Sequence, residues 1–90
     1  MTCNTLQYSK LYLKDIERCK RRHWKIEKLE CIIRILEVGK ILPLSSFDHS
    51  LKGDYVSLRE CHIQPDWLLI YRVKDNVVYL YRTGSHSDLF

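Results

Sequence analysis

The sequence feature that most constrains the fold is an uninterrupted apolar run at residues 67–71, Trp-Leu-Leu-Ile-Tyr. A strand with one face in water alternates apolar and polar residues, so a run without alternation predicts a strand covered on both faces. Segments 56–63 and 77–83 are rich in Val, Ile, Leu and Tyr, and short turn-forming sequences separate them from segment 67–73. The pattern predicts three strands joined as a meander.

The first half of the chain has helical periodicity instead. Ser9 is a suitable N-cap, and the residues after it place apolar and basic side chains on separate faces of a helix. A second apolar face recurs from about residue 24 to residue 38, before Gly39 at a position suited to a helix C-terminus. The two helices predict a hairpin that covers one face of the sheet. The basic stripe of the first helix consists of Lys10, Lys14, Arg18 and Arg21.

These elements predict an α+β fold in which an N-terminal helical hairpin packs on a small, twisted, mainly antiparallel sheet. The 90 residues suffice for one domain with one modest core, so we expect residues 1–90 to form a single domain. Residues 5–8 are expected to add an edge strand. Residues 42–55 have no sustained period and predict a surface loop. The tail ends on the aromatic Phe90, and we expect it to dock on the domain.

Composition limits the class of protein. No apolar run approaches the roughly 18 residues that a membrane span needs, and the N-terminus lacks the plan of a signal peptide, so we expect a cytoplasmic protein with no membrane partner. Cys3, Cys19, Cys31 and Cys61 have no C-x-x-C spacing, which predicts reduced thiols that are mostly buried or half-buried, and no zinc site. Residues 1–45 carry a charge of +5 and residues 46–90 a charge of −1, from 10 basic against 5 acidic and 5 against 6.

The second half concentrates the groups that could cleave RNA without a metal. Such cleavage needs a base for the ribose 2′-proton, an acid for the leaving 5′-oxygen, and a cation for the charge on phosphorus. Histidine, carboxylate and arginine supply all of these. The candidate catalytic residues lie in loops and at strand ends: His49, His62, Asp66, Arg82 and His86.

These residues fall within sequence blocks that resemble a known family. The blocks are Asp48-His49-x-Leu51-x-Gly53, then Arg59-Glu60-Cys61-His62-Ile63-x-Pro65-Asp66-Trp67-Leu68-Leu69-Ile70-Tyr71, then Arg82-Thr83-Gly84-Ser85-His86-Ser87-x-Leu89-Phe90. Their order and intervals are similar to those of the YafQ-like mRNA interferases of the RelE/ParE superfamily, and the preceding basic hairpin also fits. One departure is Ser50, where the family commonly has proline, and this change predicts a looser His49 loop.

The resemblance implies a RelE-like fold and a toxin that cleaves messenger RNA in the ribosomal A site and is silenced by a cognate antitoxin. The resemblance also implies that such a toxin needs no cofactor and no metal. By chemistry, His86 and Asp66 are the acid and base candidates, with their individual roles open. His49 and His62 would orient the RNA or share the proton transfer, and Arg82 would stabilise the phosphate.

The remaining candidate residues would bind RNA. Trp67 and Phe90 could stack on an unpaired base, although Trp67 could equally be core and Phe90 could only fix the tail. The basic stripe could contact the rRNA backbone, the antitoxin, or both. Two other hypotheses stay open: a toxin of the same fold that acts by binding alone, on gyrase or another target, and a zinc-dependent protein. A toxin that acts by binding alone has no need of His49, His62 and His86, and the spacing of the histidines and cysteines does not match a zinc site.

Overall fold

A computed structural model describes residues 3–51 and 57–90 of the chain. Its centre is a sheet with the strand order β1-β5-β4-β3-β2. The strands are β1 (Thr5–Tyr8), β2 (His49–Ser50), β3 (Arg59–Gln64), β4 (Trp67–Lys74) and β5 (Val77–Gly84). The helices are α1 (Lys10–Arg21), α2 (Ile26–Glu37), a 3₁₀ turn (Leu44–Ser46) and α3 (His86–Leu89). The α+β fold class is confirmed.

The predicted meander is present. Strands β3, β4 and β5 pair antiparallel, whereas β1 pairs parallel with the first half of β5, so the sheet is mainly antiparallel with one parallel edge. The predicted edge strand at residues 5–8 is therefore confirmed. Strands β4 and β5 have the predicted bounds to within one residue.

Helix α1 begins where its cap predicts, and α2 begins two residues later than predicted, at Ile26. The Ser9 hydroxyl accepts a hydrogen bond from the Tyr12 amide at 2.9 Å, which satisfies one of the unpaired N–H groups at the start of α1. At the end of α2 the chain passes through Val38 into Gly39, whose φ of 77° lies in the left-handed region that glycine adopts without strain. Tyr12 and Cys19 of α1 and Leu29 of α2 are buried against the sheet.

Strand β4 is the middle of the core, as its composition predicts. Trp67, Leu69 and Tyr71 pack with the helices, and Leu68 and Ile70, which alternate with them, are also buried. Burying an apolar side chain of this size contributes about 1.5–3 kcal/mol. The second face of β4 is therefore shielded from solvent as well. Leu68 and Ile70 on that face are not part of the core cluster that Trp67, Leu69 and Tyr71 form with the helices.

Two predictions about bounds were wrong. The first predicted strand was placed at 56–63, but β3 begins at Arg59: Ser57 lies in a turn, Leu58 is buried without joining the ladder, and residue 56 lies outside the described residues. Residues 42–55 were predicted to hold no element, yet this segment contains the 3₁₀ turn and β2. Strand β2 forms because it pairs with β3, a long-range contact that local periodicity does not reveal.

The tail is docked, as predicted. It forms α3 through a capping box, in which the Ser85 amide donates to Asp88 Oδ2 at 2.9 Å and the Asp88 amide donates to the Ser85 hydroxyl at 3.2 Å. The preceding Gly84 has a φ of 155°, and a Cβ there would lie 2.9 Å from Asp88 Oδ2. Among the described residues, no helix is long and apolar enough to cross a bilayer.

Candidate active site

Two of the candidate catalytic side chains, those of His49 and His62, project from the sheet face opposite the helices. Partners that lie directly across an antiparallel pair share a face. His62 is paired with Leu68, and Glu60 is paired both with Ile70 and with His49. Because Leu68 and Ile70 alternate with the β4 residues that meet the helices, this register puts His49, Glu60 and His62 on the opposite face. Ile70 is also paired with Arg82, whose guanidinium is bonded to Asp15 of α1.

His86 and Asp66 form the closest pair of candidate residues. His86 Nδ1 lies 2.6 Å from Asp66 Oδ1, and the same oxygen accepts the His86 backbone N–H at 3.0 Å. The hydrogen bonds from the His86 backbone and ring hold the pKa of the Asp66 carboxyl below its usual value. With Nδ1 engaged, Nε2 is the ring nitrogen left for a substrate. His62 is the next ring, with its centroid 6.1 Å from that of His86.

Glu60 is a site residue that the sequence reasoning missed. Its side chain is 90% buried, and its Oε1 lies 3.8 Å from His62 Nε2 and 4.0 Å from His49 Nε2. The carboxylate of Glu60 therefore lies between two imidazole rings and can orient both of them. The available signal was its place two residues before His62, on the same face of a strand.

Arg82 is held by a buried carboxylate on α1. Its Nε and Nη2 donate to Asp15 at 2.7 and 2.9 Å, and Asp15 also accepts the Thr83 amide at 3.1 Å. Asp15 is 1% exposed. The hydrogen bonds to Asp15 raise the pKa of Arg82, and they leave Nη1 uncommitted by this pair. Sequence reasoning missed Asp15, although its position between Tyr12 and Cys19 places a carboxylate on the buried face of α1.

The ion pairs continue from Asp15 to the tail. Arg18 Nη1 lies 3.3 Å from Asp15 and 3.7 Å from Asp88, and it is buried without a hydrogen bond. Arg22 donates two hydrogen bonds to Asp88, at 2.7 and 3.0 Å. The hydrogen bond from Arg22 holds the pKa of Asp88 well below its usual range. We call Asp15, Arg18, Arg22, Arg82 and Asp88 the ion-pair cluster; it joins α1, β5 and α3.

A second carboxylate fixes the approach to His49. Asp48 accepts hydrogen bonds from Arg59 Nε and Nη2, both at 3.1 Å, and from the Tyr71 hydroxyl at 2.6 Å. Arg59 Nη1 also donates to the Ser50 hydroxyl at 2.8 Å. Ser50 was predicted to loosen the His49 loop, but its hydroxyl ties β2 to β3 instead.

The two aromatic candidates lie in different environments. Trp67 is 1% exposed, packs on Trp24 with ring centroids 4.9 Å apart, and donates its indole N–H to Thr83 Oγ1 at 2.9 Å. It has almost no surface to offer a base, so its contacts support the core interpretation over RNA stacking. Phe90 is exposed at the end of the tail. Sequence reasoning missed a third aromatic, Phe47, whose ring meets that of His62 edge-on.

The basic stripe is only partly available to a polyanion. Lys10, Lys14 and Arg21 are exposed on α1, whereas Arg18 is half-buried in the ion-pair cluster. Lys10 and Lys14 near the start of α1 and Arg21 at its end are therefore exposed to a polyanion, whereas Arg18 between them is already paired with carboxylates. Arg18 contributes to the structure whether or not it also meets RNA.

Potential metal ligands were compared within the described part of the chain. Within segments 3–51 and 57–90, no three His, Cys, Asp or Glu side chains come together as ligands. The cysteines are unbridged; Cys19 and Cys61 are buried as predicted, but Cys3 and Cys31 are exposed. Burial raises the pKa of the Cys61 thiol to about 12, so it stays protonated and is a poor ligand or nucleophile.

Comparison with known proteins identifies the family of the chain. Residues 4–90 match the family model described as a bacterial toxin of type II toxin-antitoxin systems, YafQ. The chain is 37% identical over 87 residues to the mRNA interferase toxin YafQ of Escherichia coli K12, covering 94% of each protein.

Solved structures give the same result. The chain is similar to YafQ in the E. coli DinJ-YafQ toxin-antitoxin complex, with a TM-score of 0.90, 35% identity and 97% of each chain covered. It is also similar to a copper-bound mutant toxin from Helicobacter pylori, with a TM-score of 0.92, 38% identity, and coverage of 97% of this chain and 99% of that one. By sequence and by structure, the chain belongs to the YafQ family of bacterial toxins of type II toxin-antitoxin systems.

Proposed function

We propose that this toxin is an endoribonuclease that cleaves mRNA in the ribosomal A site by metal-independent acid/base chemistry. The observation that carries the proposal is a histidine bound to a carboxylate, His86 with Asp66, and a second histidine ring, that of His62, 6.1 Å away. Arg82, four positions before His86 and anchored by Asp15, supports it. The E. coli relative is named an mRNA interferase, which supports the same activity here.

The proposed reaction breaks the RNA chain by attack of a ribose hydroxyl on the adjacent phosphate. A base removes the proton of the ribose 2′-hydroxyl, the resulting alkoxide attacks the adjacent phosphorus, and an acid protonates the 5′-oxygen as its bond to phosphorus breaks. His86, with Nδ1 held by Asp66, exchanges a proton at Nε2. His62 and His49, both beside Glu60, supply the second proton-transfer group. Arg82 Nη1 stabilises the charge on the phosphoryl oxygens.

The partners follow from this activity. Ribosomal RNA contacts the exposed cations of the basic stripe through its phosphates, which gives affinity without sequence preference. Phe90 stacks on an exposed base of the mRNA. A cognate antitoxin, as in the DinJ-YafQ complex, silences the toxin. Since the ribosome is the place of action, the toxin works in the cytoplasm.

The test is a comparison of His86→Asn with His23→Asn. Asparagine cannot exchange a proton as imidazole does, and His23 is an exposed histidine in the turn after α1, with a left-handed φ of 61° that asparagine tolerates. We expect brief induction of the wild type to produce transcript 5′-ends in frame within translated codons. His86→Asn should lower cutting about 10²–10⁴-fold, and His23→Asn should not lower it.

Growth arrest without cuts by the wild type would instead support a toxin that acts by binding alone. Metal independence has its own test in cell-free translation. A chelator that takes zinc and copper but leaves the Mg²⁺ of the ribosome should not change the cutting rate. Loss of cutting that added zinc or copper restores would refute the metal-independent mechanism.

A further inference from the structure

An open cavity lies beside His62 at the edge of the candidate active site. Its volume is about 460 Å³, and it is bounded by the 3₁₀ turn region on one side and the end of β3 on the other. The lining residues are Ser45, Phe47, His62, Ile63, Gln64 and Pro65. Among them, the acid/base mechanism uses only His62. The other lining residues therefore have no role in the chemistry described above.

Phe47 forms an aromatic wall of this cavity. Its side chain is 68% exposed, although a phenylalanine of a folded domain is usually buried. Its backbone is left-handed, with φ 48° and ψ 44°, a conformation that a bulky residue rarely adopts. Its amide bonds to the Leu44 carbonyl at 3.0 Å, so the 3₁₀ turn fixes this conformation. This strained backbone conformation holds the ring of Phe47 in solvent beside His62.

The ring of His62 has an aromatic neighbour in Phe47 and another in His86. The centroid of His62 lies 5.8 Å from that of Phe47 and 6.1 Å from that of His86. Proteins that recognise single-stranded RNA stack its unstacked bases on aromatic side chains, and they read the base edges with hydrogen-bonding groups. Gln64 lines the same cavity and is exposed, and a carboxamide offers both donors and an acceptor.

We propose that the cavity binds the base of a nucleotide next to the cleaved phosphodiester, with Phe47 stacking on the base and Gln64 bonding its edge. This inference rests on the proposed nuclease activity and extends it to substrate selection. The position supports it, because the ring of His62 is the neighbour of both His86 and Phe47, so a phosphate at His86 has the cavity within reach of an adjoining nucleotide. In this arrangement Phe47 and Gln64 determine which codons are cut.

The experiment compares Phe47→Ala, Phe47→Tyr and Gln64→Ala with the control Leu44→Ala. Leu44 is 95% exposed in the same 3₁₀ turn and does not line the cavity, so it reports any general effect of removing an apolar side chain from this turn. Transcript 5′-ends are mapped and counted by codon after brief induction of each variant, and thermal unfolding confirms that each variant is folded.

We expect Phe47→Ala to lower cutting about tenfold through loss of one stacked base, with Phe47→Tyr and Leu44→Ala close to the wild type. Gln64→Ala should keep most of the cutting but flatten the base preference at one codon position. Phe47→Ala that cuts as fast as Leu44→Ala, with unchanged codon preference, would overturn the inference and leave the nuclease proposal intact. So would a Phe47→Ala variant that escapes the antitoxin while cutting normally, because Phe47 would then belong to a protein interface.

Absence of cuts by the wild type would instead overturn the proposed function, and this inference with it.

Discussion

The two sides of the candidate active site are built in opposite ways. On one side, the ion-pair cluster holds Arg82 and the helix that carries His86, with Asp15 buried among its partners. On the other side, the segment from Phe47 to Ser50 is exposed. Asp48 and Ser50 bond to Arg59 and Tyr71, and Phe47 and His49 meet side chains of β3. In the proposed mechanism, the first side fixes groups that meet the phosphate, and the second presents side chains to the rest of the RNA.

This difference predicts how substitutions divide between stability and activity. A buried charge that loses its partner destabilises the fold strongly, whereas exposed hydrogen bonds contribute little because water replaces them. Changes in the ion-pair cluster should therefore reduce stability and activity together. Changes at Phe47 or Ser50 should leave stability nearly unchanged, so that effects on activity there report on substrate.

The largest expected effect is that of Asp15→Ala. The substitution leaves Arg82 without its carboxylate partner and the buried Thr83 amide without an acceptor, so the free energy of unfolding should fall by about 3 kcal/mol. Urea denaturation measures it. The matched control is Glu17→Ala, which removes an exposed carboxylate from the same helix, 3.8 Å from Lys20, and should change stability by less than about 0.5 kcal/mol. If Glu17→Ala lowered the free energy of unfolding as much as Asp15→Ala, the stabilisation attributed to the buried ion-pair cluster would be contradicted.

Much of the fold was predictable because its signals are local. The apolar run at 67–71 identified the central strand, and the cap at Ser9 and the glycine at 39 bounded the helices. The start of β3 was not predictable in the same way, because Leu58 is buried without pairing in the ladder, and burial and pairing have the same sequence signature. Strand β2 depends on pairing with β3, which no short window contains.

The candidate site was predictable as a set of chemical groups but not as a set of contacts. Histidines, Asp66 and Arg82 were identified by type and pattern. Their partners Asp15 and Glu60 were missed, because Asp15 lies 67 positions from Arg82 and a carboxylate on an apolar helix face does not reveal which cation it meets. A tryptophan at position 67 fits either a core or a stacking role, and only the burial of its side chain distinguishes the two roles.

A smaller effect is expected from the tail. Asp88 has a folded-state pKa below its unfolded value, so its contribution to stability is present above about pH 4 and is lost as the pH falls through the folded-state pKa. Asp88→Asn removes this contribution at neutral pH, by about 1 kcal/mol, while keeping a side chain that can still cap α3. The measured quantity is the urea midpoint of both proteins from pH 7 downward. The midpoints should converge at low pH, and a constant difference would show that Asp88 acts through shape rather than charge.

The smallest expected effect is that of Ser50→Ala. The hydroxyl accepts a single hydrogen bond from Arg59, which is partly exposed and keeps its contacts with Asp48, so the free energy of unfolding should change by less than about 0.5 kcal/mol. Thermal unfolding and cut mapping test stability and activity separately. Since β2 also pairs with β3 through its backbone, losing one side-chain bond should not displace His49. A large loss of cutting at unchanged stability would show that Ser50 positions His49, and the exposed side of the site would then be as dependent on fixed contacts as the buried one.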